Sequence, residues 1–382
     1  MKKIKNILPF IALLFCLTSC IDNDQELMEF HYEDYELMEG VLNISQEGPP
    51  SYTFEYPSYY GRTGNFDKNL ATLGRVMFYD EKLSADGKVS CASCHKQEIA
   101  FSDDKALSDG IDNQVTKRNS LALGAVFNFQ EYYGPNRVPF FWDNSISTVQ
   151  DQIVTTFGSK NEMDMTIPQI VKVMNDNDYY QPLINRAFNT KKITEATAVE
   201  ALAVFVNSMG SYSSRFDEAL SEEAKNTGFG QVTQIATINF KDFSEAENRG
   251  KSTYMEACAS CHGEIMGAPN ELQANNGLSI SANDYGVAST QGQFKVPSLR
   301  NLSLTGPYMH DGRFESIDDV LDHYSAGIEM SSDLHPFLRD ESAGPRKFNF
   351  STEERDDLLA FFKTLDDPAF LVDPKYSDPF IR

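Results

Sequence analysis

The chain has 382 residues, 41% of them hydrophobic, and a formal net charge of −23. The apolar content is enough for two domains with cores of their own and excludes a disordered chain. The charge would repel nucleic acid and anionic membrane surfaces, so no nucleic acid is expected as a partner; a basic electron carrier is compatible with it, and solubility alone is the plainer use of such acidity.

Residues 1–20 hold Lys2, Lys3 and Lys5, an apolar run from Ile7 to Leu17, and then Leu17-Thr18-Ser19-Cys20. The run is too short to span a bilayer stably and has the anatomy of a secretory signal. Its end resembles a bacterial lipobox, which predicts that Cys20 is lipidated and tethers an exported periplasmic or cell-envelope protein to a membrane. An ordinary cleaved signal is the alternative. Residues 21–60 carry many acids and several tyrosines without helical or strand period, which predicts a tether with little structure of its own.

Residues 61–190 form the first expected domain. Helical spacing starts near Asn65, with Leu70, Leu73 and Phe78, and Leu83-Ser84-Ala85-Asp86-Gly87 then makes a turn into Cys91-Ala92-Ser93-Cys94-His95. In Cys-x-x-Cys-His each thiol can form a thioether to a haem vinyl group, and the His is placed under the iron as an axial ligand. A zinc site or a redox dithiol is the plainer use of a Cys-x-x-Cys pair. The long irregular stretch from His95 to Asp143 is of the kind that walls a pocket. Thr166-Ile167-Pro168-Gln169 predicts a helix start that carries Ile170, Val173 and Met174.

A domain boundary is expected near Asn189 to Lys192, followed by a second domain over residues 191–350. Ile193, Ala196, Val199, Leu202, Val206 and Met209 mark an amphipathic helix. Ser244-Glu245-Ala246-Glu247 caps a helix running into Cys258-Ala259-Ser260-Cys261-His262, a letter-for-letter copy of the first motif. Two copies behind an export signal favour two covalently bound haem c groups over zinc or dithiol chemistry. The two remaining cysteines are Cys16 and Cys20, so no structural disulfide is expected. Ser316 and Ser351 open two further helices. Residues 351–382 should form a C-terminal helix and tail that packs back on the N-terminal domain. No segment alternates over a useful length, so the expected fold is mainly α, with two cytochrome-c-like haem domains.

The stretch Leu73 to His95, Arg118-Asn119-Ser120, Phe141-Trp142-Asp143, Asn161-Glu162-Met163, Val296-Pro297-Ser298-Leu299-Arg300-Asn301 and Thr305-Gly306-Pro307-Tyr308-Met309-His310-Asp311-Gly312 resemble the bacterial dihaem cytochrome c peroxidases, a family with a MauG branch that oxidises a partner protein. The resemblance runs from about Asn65 to Leu365. It implies that His95 is proximal at the peroxide-cleaving haem and His262 at the electron-transfer haem. It also implies that Glu162 is the distal proton carrier, with Gln152 its neighbour, and that Trp142 relays electrons between the haems. The plain readings are a surface acid for Glu162 and a core aromatic for Trp142. Asn119 with the carbonyls of Thr305 and Pro307 resembles the family's calcium site. Three departures are Lys295 in place of a common Arg, Thr156 in place of a proline, and an insertion around Tyr133 to Pro139.

Helical spacing of Ile317, Val320, Leu321 and Tyr324 turns Tyr324 inward and His323 about 100° away. Measured from His310, Tyr324 falls where family peroxidases place an axial Met and the MauG branch an axial Tyr. A core tyrosine, with Met330 or His323 as ligand, is the alternative. Function is therefore expected to be the reduction of hydrogen peroxide by a small donor protein of cytochrome c or cupredoxin type. MauG-like oxidation of a protein substrate and a non-catalytic dihaem electron carrier are the alternatives.

Overall fold

A computed structural model describes residues 36–45, 48–55, 63–126, 140–227, 235–264, 269–279, 284–288, 290–342 and 344–382. The leader with Cys20 and the Tyr133 to Pro139 insertion lie outside these residues. The described chain is mainly helical. Its strands are short: β1 (Tyr52–Glu55) pairs antiparallel with β2 (Thr63–Phe66).

Helix α1 (Lys68–Tyr79) starts where the Asp67 carboxylate accepts the free N–H groups of Asn69 (2.8 Å) and Leu70 (2.9 Å). Helices α2 (Val149–Gly158), α3 (Ile167–Asp176), α4 (Gln181–Phe188) and α5 (Glu195–Ser208) follow. Leu73, Met77 and Phe78 of α1 pack with Ile170 and Met174 of α3 and with Ala201 and Phe205 of α5 in a first core. Helix α1 lies directly on α5 at Gly74, where any Cβ would come within 2.1 Å of the Ala201 carbonyl oxygen.

The second half repeats this plan. Helix α6 (Arg215–Thr227) is followed by α7 (Glu245–Ala257), opened by reciprocal bonds between Ser244 and Glu247. After a two-residue ladder of β3 (Gln273–Ala274) with β4 (Phe294–Lys295) come α8 (Ile317–Asp322) and α9 (Thr352–Lys363). Gly250 of α7 meets α9 as Gly74 meets α5, with 1.9 Å from its missing Cβ to the Asp357 carbonyl oxygen. Phe216, Leu220, Tyr254, Leu358, Phe361 and Phe362 form the second core.

Three expectations change. Met38, Leu42 and Tyr52 are buried in the first core, so the stretch read as an unstructured tether is built into the fold over its described part. Three isolated apolar contacts and a four-residue strand set up no period to read. Second, α5 belongs to the first core, so the two cores change over after this helix rather than before it, at Met209 to Phe216. Third, the C-terminal segment is divided. Helix α9 packs in the second core, whereas Phe370 and Tyr376 pack in the first. There the Arg75 guanidinium donates to the Ser377 carbonyl (2.6 Å) and the Tyr79 hydroxyl to the Tyr376 carbonyl (2.7 Å). Among the described residues no helix is long and apolar enough to cross a membrane.

Candidate active site

Both Cys-x-x-Cys-His motifs follow the glycine-bearing helix of their half and fold into one helical turn, Cys91–Cys94 and Ala259–His262. The His95 amide donates to the Cys91 carbonyl and the His262 amide to the Cys258 carbonyl, each at 3.0 Å. The two imidazoles are oriented alike: Nδ1 of His95 lies 3.0 Å from the Phe101 carbonyl and Nδ1 of His262 3.0 Å from the Pro297 carbonyl. A nitrogen facing a carbonyl must donate, so Nδ1 carries the hydrogen and Nε2 keeps a lone pair that can bind iron. Burial also pulls both imidazoles below their ordinary pKa, which holds them neutral as ligands.

Burial pushes the thiols up, Cys91 to about 12, Cys94 to about 11 and Cys258 to about 12. A redox dithiol needs the opposite shift. All four motif cysteines are free, not disulfide-bonded. The thiols of Cys91 and Cys94 open instead onto a cavity of about 1230 Å³, larger than the usual ~300–1,000 Å³ of a small-ligand site. The cavity runs from the first motif past Trp142 to Pro297, whose carbonyl holds His262. These residues fit a covalent haem at the first motif, with space beyond it.

Glu162 and Gln152 line the same cavity as Cys91, Cys94 and His95. Burial raises the Glu162 pKa, and hydroxyl donors on Ser159 and Thr156, with Lys117 farther off, counter that rise. Gln152 Nε2 donates to Thr156 Oγ1 at 3.2 Å. Since the amide nitrogen can only donate, the threonine proton is left for the glutamate, and Gln152, Thr156 and Glu162 form one directional chain. Thr156, marked in the sequence only as a departure, is thus a member of the site.

Trp142 is buried, and its Nε1 donates to the Asn119 carbonyl (2.8 Å) while its own carbonyl accepts from the Lys295 amide (2.7 Å). It therefore joins a loop of the first half to β4 of the second. Beside it Arg118 bridges Asp143 (2.7 Å) and Asp284 (2.8 Å), and Phe294 stacks on His310 at 3.7 Å. Lys295 faces the cavity, and burial lowers its pKa to about 7.

Burial raises the pKa of the Tyr324 phenol to about 12, and Cys258 and Cys261 of the second motif add to that rise. Tyr324 lies in a π-helical turn, His323–Gly327, that continues α8. In this turn His323 is buried and Tyr324 half-buried, so both lie against the protein interior. His323 Nε2 lies 3.0 Å from the Asn276 carbonyl, and the Asn276 side chain donates to Tyr324. Met330 is 48% exposed, while Tyr324 is half-buried and His323 is buried with Nε2 against a carbonyl.

Asn119 is brought to the Thr305 to His310 turn by its amide, which donates to the His310 carbonyl (2.8 Å). Its Nδ2 donates to the carbonyls of Lys105 and Ala106, both at 3.2 Å, so its Oδ1 is the atom left to face a cation. The carbonyl partners of His95 and His262 escaped the sequence reading, because a backbone oxygen has no residue type.

A family model described as di-haem cytochrome c peroxidase matches residues 68–225. The methylamine utilization protein MauG of Methylorubrum extorquens is 30% identical over 319 residues, covering 79% of this chain and 80% of its own length. The cytochrome c551 peroxidase of Nitrosomonas europaea is 26% identical over 316 residues, 79% of this chain and 82% of its own. Among solved structures, a MauG-like protein associated with microbial copper homeostasis aligns at 28% identity with a TM-score of 0.67, covering 88% of this chain and 98% of that one.

Proposed function

The chain belongs to the di-haem cytochrome c peroxidase family, and from that premise we propose that it is an exported peroxidase with two cytochrome-c-like haem domains, which reduces hydrogen peroxide to water with electrons from a small redox protein. The observation that carries this reading is Glu162, a half-buried carboxyl with a raised pKa, in the same cavity as Cys91, Cys94 and His95.

A haem held at the first motif supplies the iron at which the O–O bond of peroxide is cleaved. Cys91 and Cys94 would anchor it, and Nε2 of His95 would bind its iron. Glu162 takes the proton from the near oxygen of peroxide and returns it to the far one, so that the leaving group departs as water. Thr156 and Ser159 aim the carboxyl, and Gln152 orders Thr156. Trp142 lies between the halves as the electron relay. Cys258, Cys261 and His262 would hold the second haem, with Tyr324 offering a further ligand to its iron. Calcium at Asn119 Oδ1 and the carbonyls of Thr305 and Pro307 would pin the turn beside Trp142. A lipid on Cys20 would keep the protein at a membrane surface.

Tyr324 gives the MauG-like reading a specific footing. A phenolate favours ferric and higher oxidation states, which suits storing oxidising power for a protein substrate. Tyr324→Phe is expected to alter the low-spin electron paramagnetic resonance (EPR) signal of the second haem; an unaltered signal removes Tyr324 as ligand. Stopped-flow mixing with peroxide, followed by reduced donor proteins, tests the main reading. Re-reduction of the haems at each peroxide addition supports it, and no spectral response to peroxide rejects it.

The resting state gives a second check. No histidine lies between His95 and His262 to block the first iron. Met165 is packed in the first core, Met163 is packed there while also lining the cavity of the first motif, and Tyr132 lies outside the described residues, so of these three Met163 is the competing ligand in place. With no such histidine, the oxidised protein is expected to show one high-spin haem and to react with peroxide without pre-reduction. Two low-spin ferric signals, with a lag that only added reductant removes, would contradict this.

A further inference from the structure

Between α3 and α4, two consecutive tyrosines point at one acid. The hydroxyls of Tyr179 (2.7 Å) and Tyr180 (2.8 Å) both donate to Oδ2 of Asp80, while its Oδ1 accepts the Lys82 amide (2.9 Å). The rings are 4.8 Å apart between centroids. Tyr180 is 0% exposed, Asp80 3% and Tyr179 5%. Asp80 closes α1, the helix that leads to the first motif, and Cys91 packs against the same core that holds Tyr179 and Tyr180. On the other side, the Lys82 ammonium stands 4.9 Å over the Tyr179 ring, and Phe380 meets that ring edge-on at 6.0 Å. The order is first haem attachment, Tyr180, Asp80, Tyr179, surface lysine.

Two buried phenols would be satisfied by any neutral acceptor, and burying a carboxylate costs more than burying an amide. What the charge adds is the capacity to take a proton. A phenol that loses an electron becomes a strong acid, and it can be oxidised readily only where a base already holds its hydrogen bond.

We propose that Tyr180 and Tyr179, sharing the carboxylate of Asp80, are an internal electron donor to the first haem, drawn on when hydrogen peroxide arrives without a reduced partner. The proposal rests on the peroxidase reading above. Tyr180 loses one electron to the first haem after peroxide has oxidised it, and its phenolic proton crosses to Asp80 Oδ2. The products are a neutral tyrosyl radical and a neutral aspartic acid, with one oxidising equivalent removed from the haem. Tyr179 can then reduce Tyr180: its electron crosses between the rings, its proton passes to Asp80, and the proton already on Asp80 returns to Tyr180. The shared oxygen lets the radical move toward the surface with no net charge transfer.

The test is rapid-freeze EPR of the two-haem protein mixed with hydrogen peroxide, without donor. A radical signal that narrows when the tyrosines are ring-deuterated is expected. Tyr180→Phe should lose the signal, and Asp80→Asn, which keeps an acceptor but takes no proton, should lose it as well. Peroxide turnover with a reduced donor should be unchanged in Tyr180→Phe. A fluorinated tyrosine placed at Tyr180 keeps the ring and its bond to Asp80, and should add fluorine splitting to the signal. The proposal is overturned by a radical that survives in the Tyr179→Phe, Tyr180→Phe double variant, or by no radical while peroxide changes the haem absorption spectrum. If peroxide leaves that spectrum unchanged, the peroxidase reading fails and the proposal falls with it.

Discussion

Glu162→Gln is expected to lower peroxide turnover by about 10²-fold or more, the usual range for removing a general acid–base group, with both haems still bound. The amide keeps the shape of the carboxyl and can still hydrogen-bond to Thr156 and Ser159, but it carries no proton to the leaving oxygen. The same change should not weaken the fold. A carboxyl whose folded pKa is raised above its unfolded value costs stability wherever it is ionised. That cost is absent below the unfolded pKa and complete above the folded one. Burial raises Glu162 in this way, so at neutral pH the glutamine variant should be at least as stable as the parent. Loss of activity without loss of stability is the pattern of a functional acid. Since proton uptake needs the carboxylate, the acidic limb of the turnover profile should lie above the ordinary glutamate range and vanish in the variant. Unchanged turnover would make Glu162 a surface charge that happens to be half-buried.

What could be read from the sequence was local. The Cys-x-x-Cys-His copies and the starts at Thr166, Ser244, Ser316 and Ser351 each depend on residues three or four apart, and all four starts open helices. Glu162 and Trp142 stood out through their resemblance to a family, since an acid among 56 acids carries no mark of its own. What escaped was long-range. Gly74 and Gly250 look like weak helix residues until α5 and α9 are laid across them. Tyr324 was read inward from a 3.6-residue period that set His323 about 100° away, but that period could not foresee a π turn in which His323 is the more deeply buried of the two. Asp80 reads as a helix end, and nothing nearby in sequence says that Tyr179 and Tyr180 return to it.

Asp217→Asn is expected to cost about 3–5 kcal/mol of stability, the range for stripping one partner from a buried ion pair. Arg300 and Asp217 are both buried, and the guanidinium donates to both carboxylate oxygens, at 2.7 and 2.8 Å. Arg300 also donates to the Ser211 carbonyl (2.8 Å) and lies 5.0 Å over the Tyr212 ring, while Asp217 accepts from the amide and hydroxyl of Ser214. Next to the pair, Asn301 donates to Ser211 Oγ (2.9 Å) and accepts the Asp367 amide (2.8 Å). Three segments are thus tied where the first core gives way to the second, and one of them is the Pro297 to Asn301 stretch whose Pro297 carbonyl fixes His262. The asparagine variant leaves the buried Arg300 guanidinium without the carboxylate charge of Asp217. It should lower the guanidinium midpoint and broaden the low-spin EPR signal of the second haem, because the carbonyl that orients His262 is no longer held. The double variant Asp217→Leu, Arg300→Met removes both charges and should recover most of the stability, since apolar side chains of similar volume replace buried pairs at little cost. A drop below about 1 kcal/mol in the asparagine variant, the value of an exposed pair, would mean that solvent reaches Arg300 and that the segment holding His262 is anchored elsewhere.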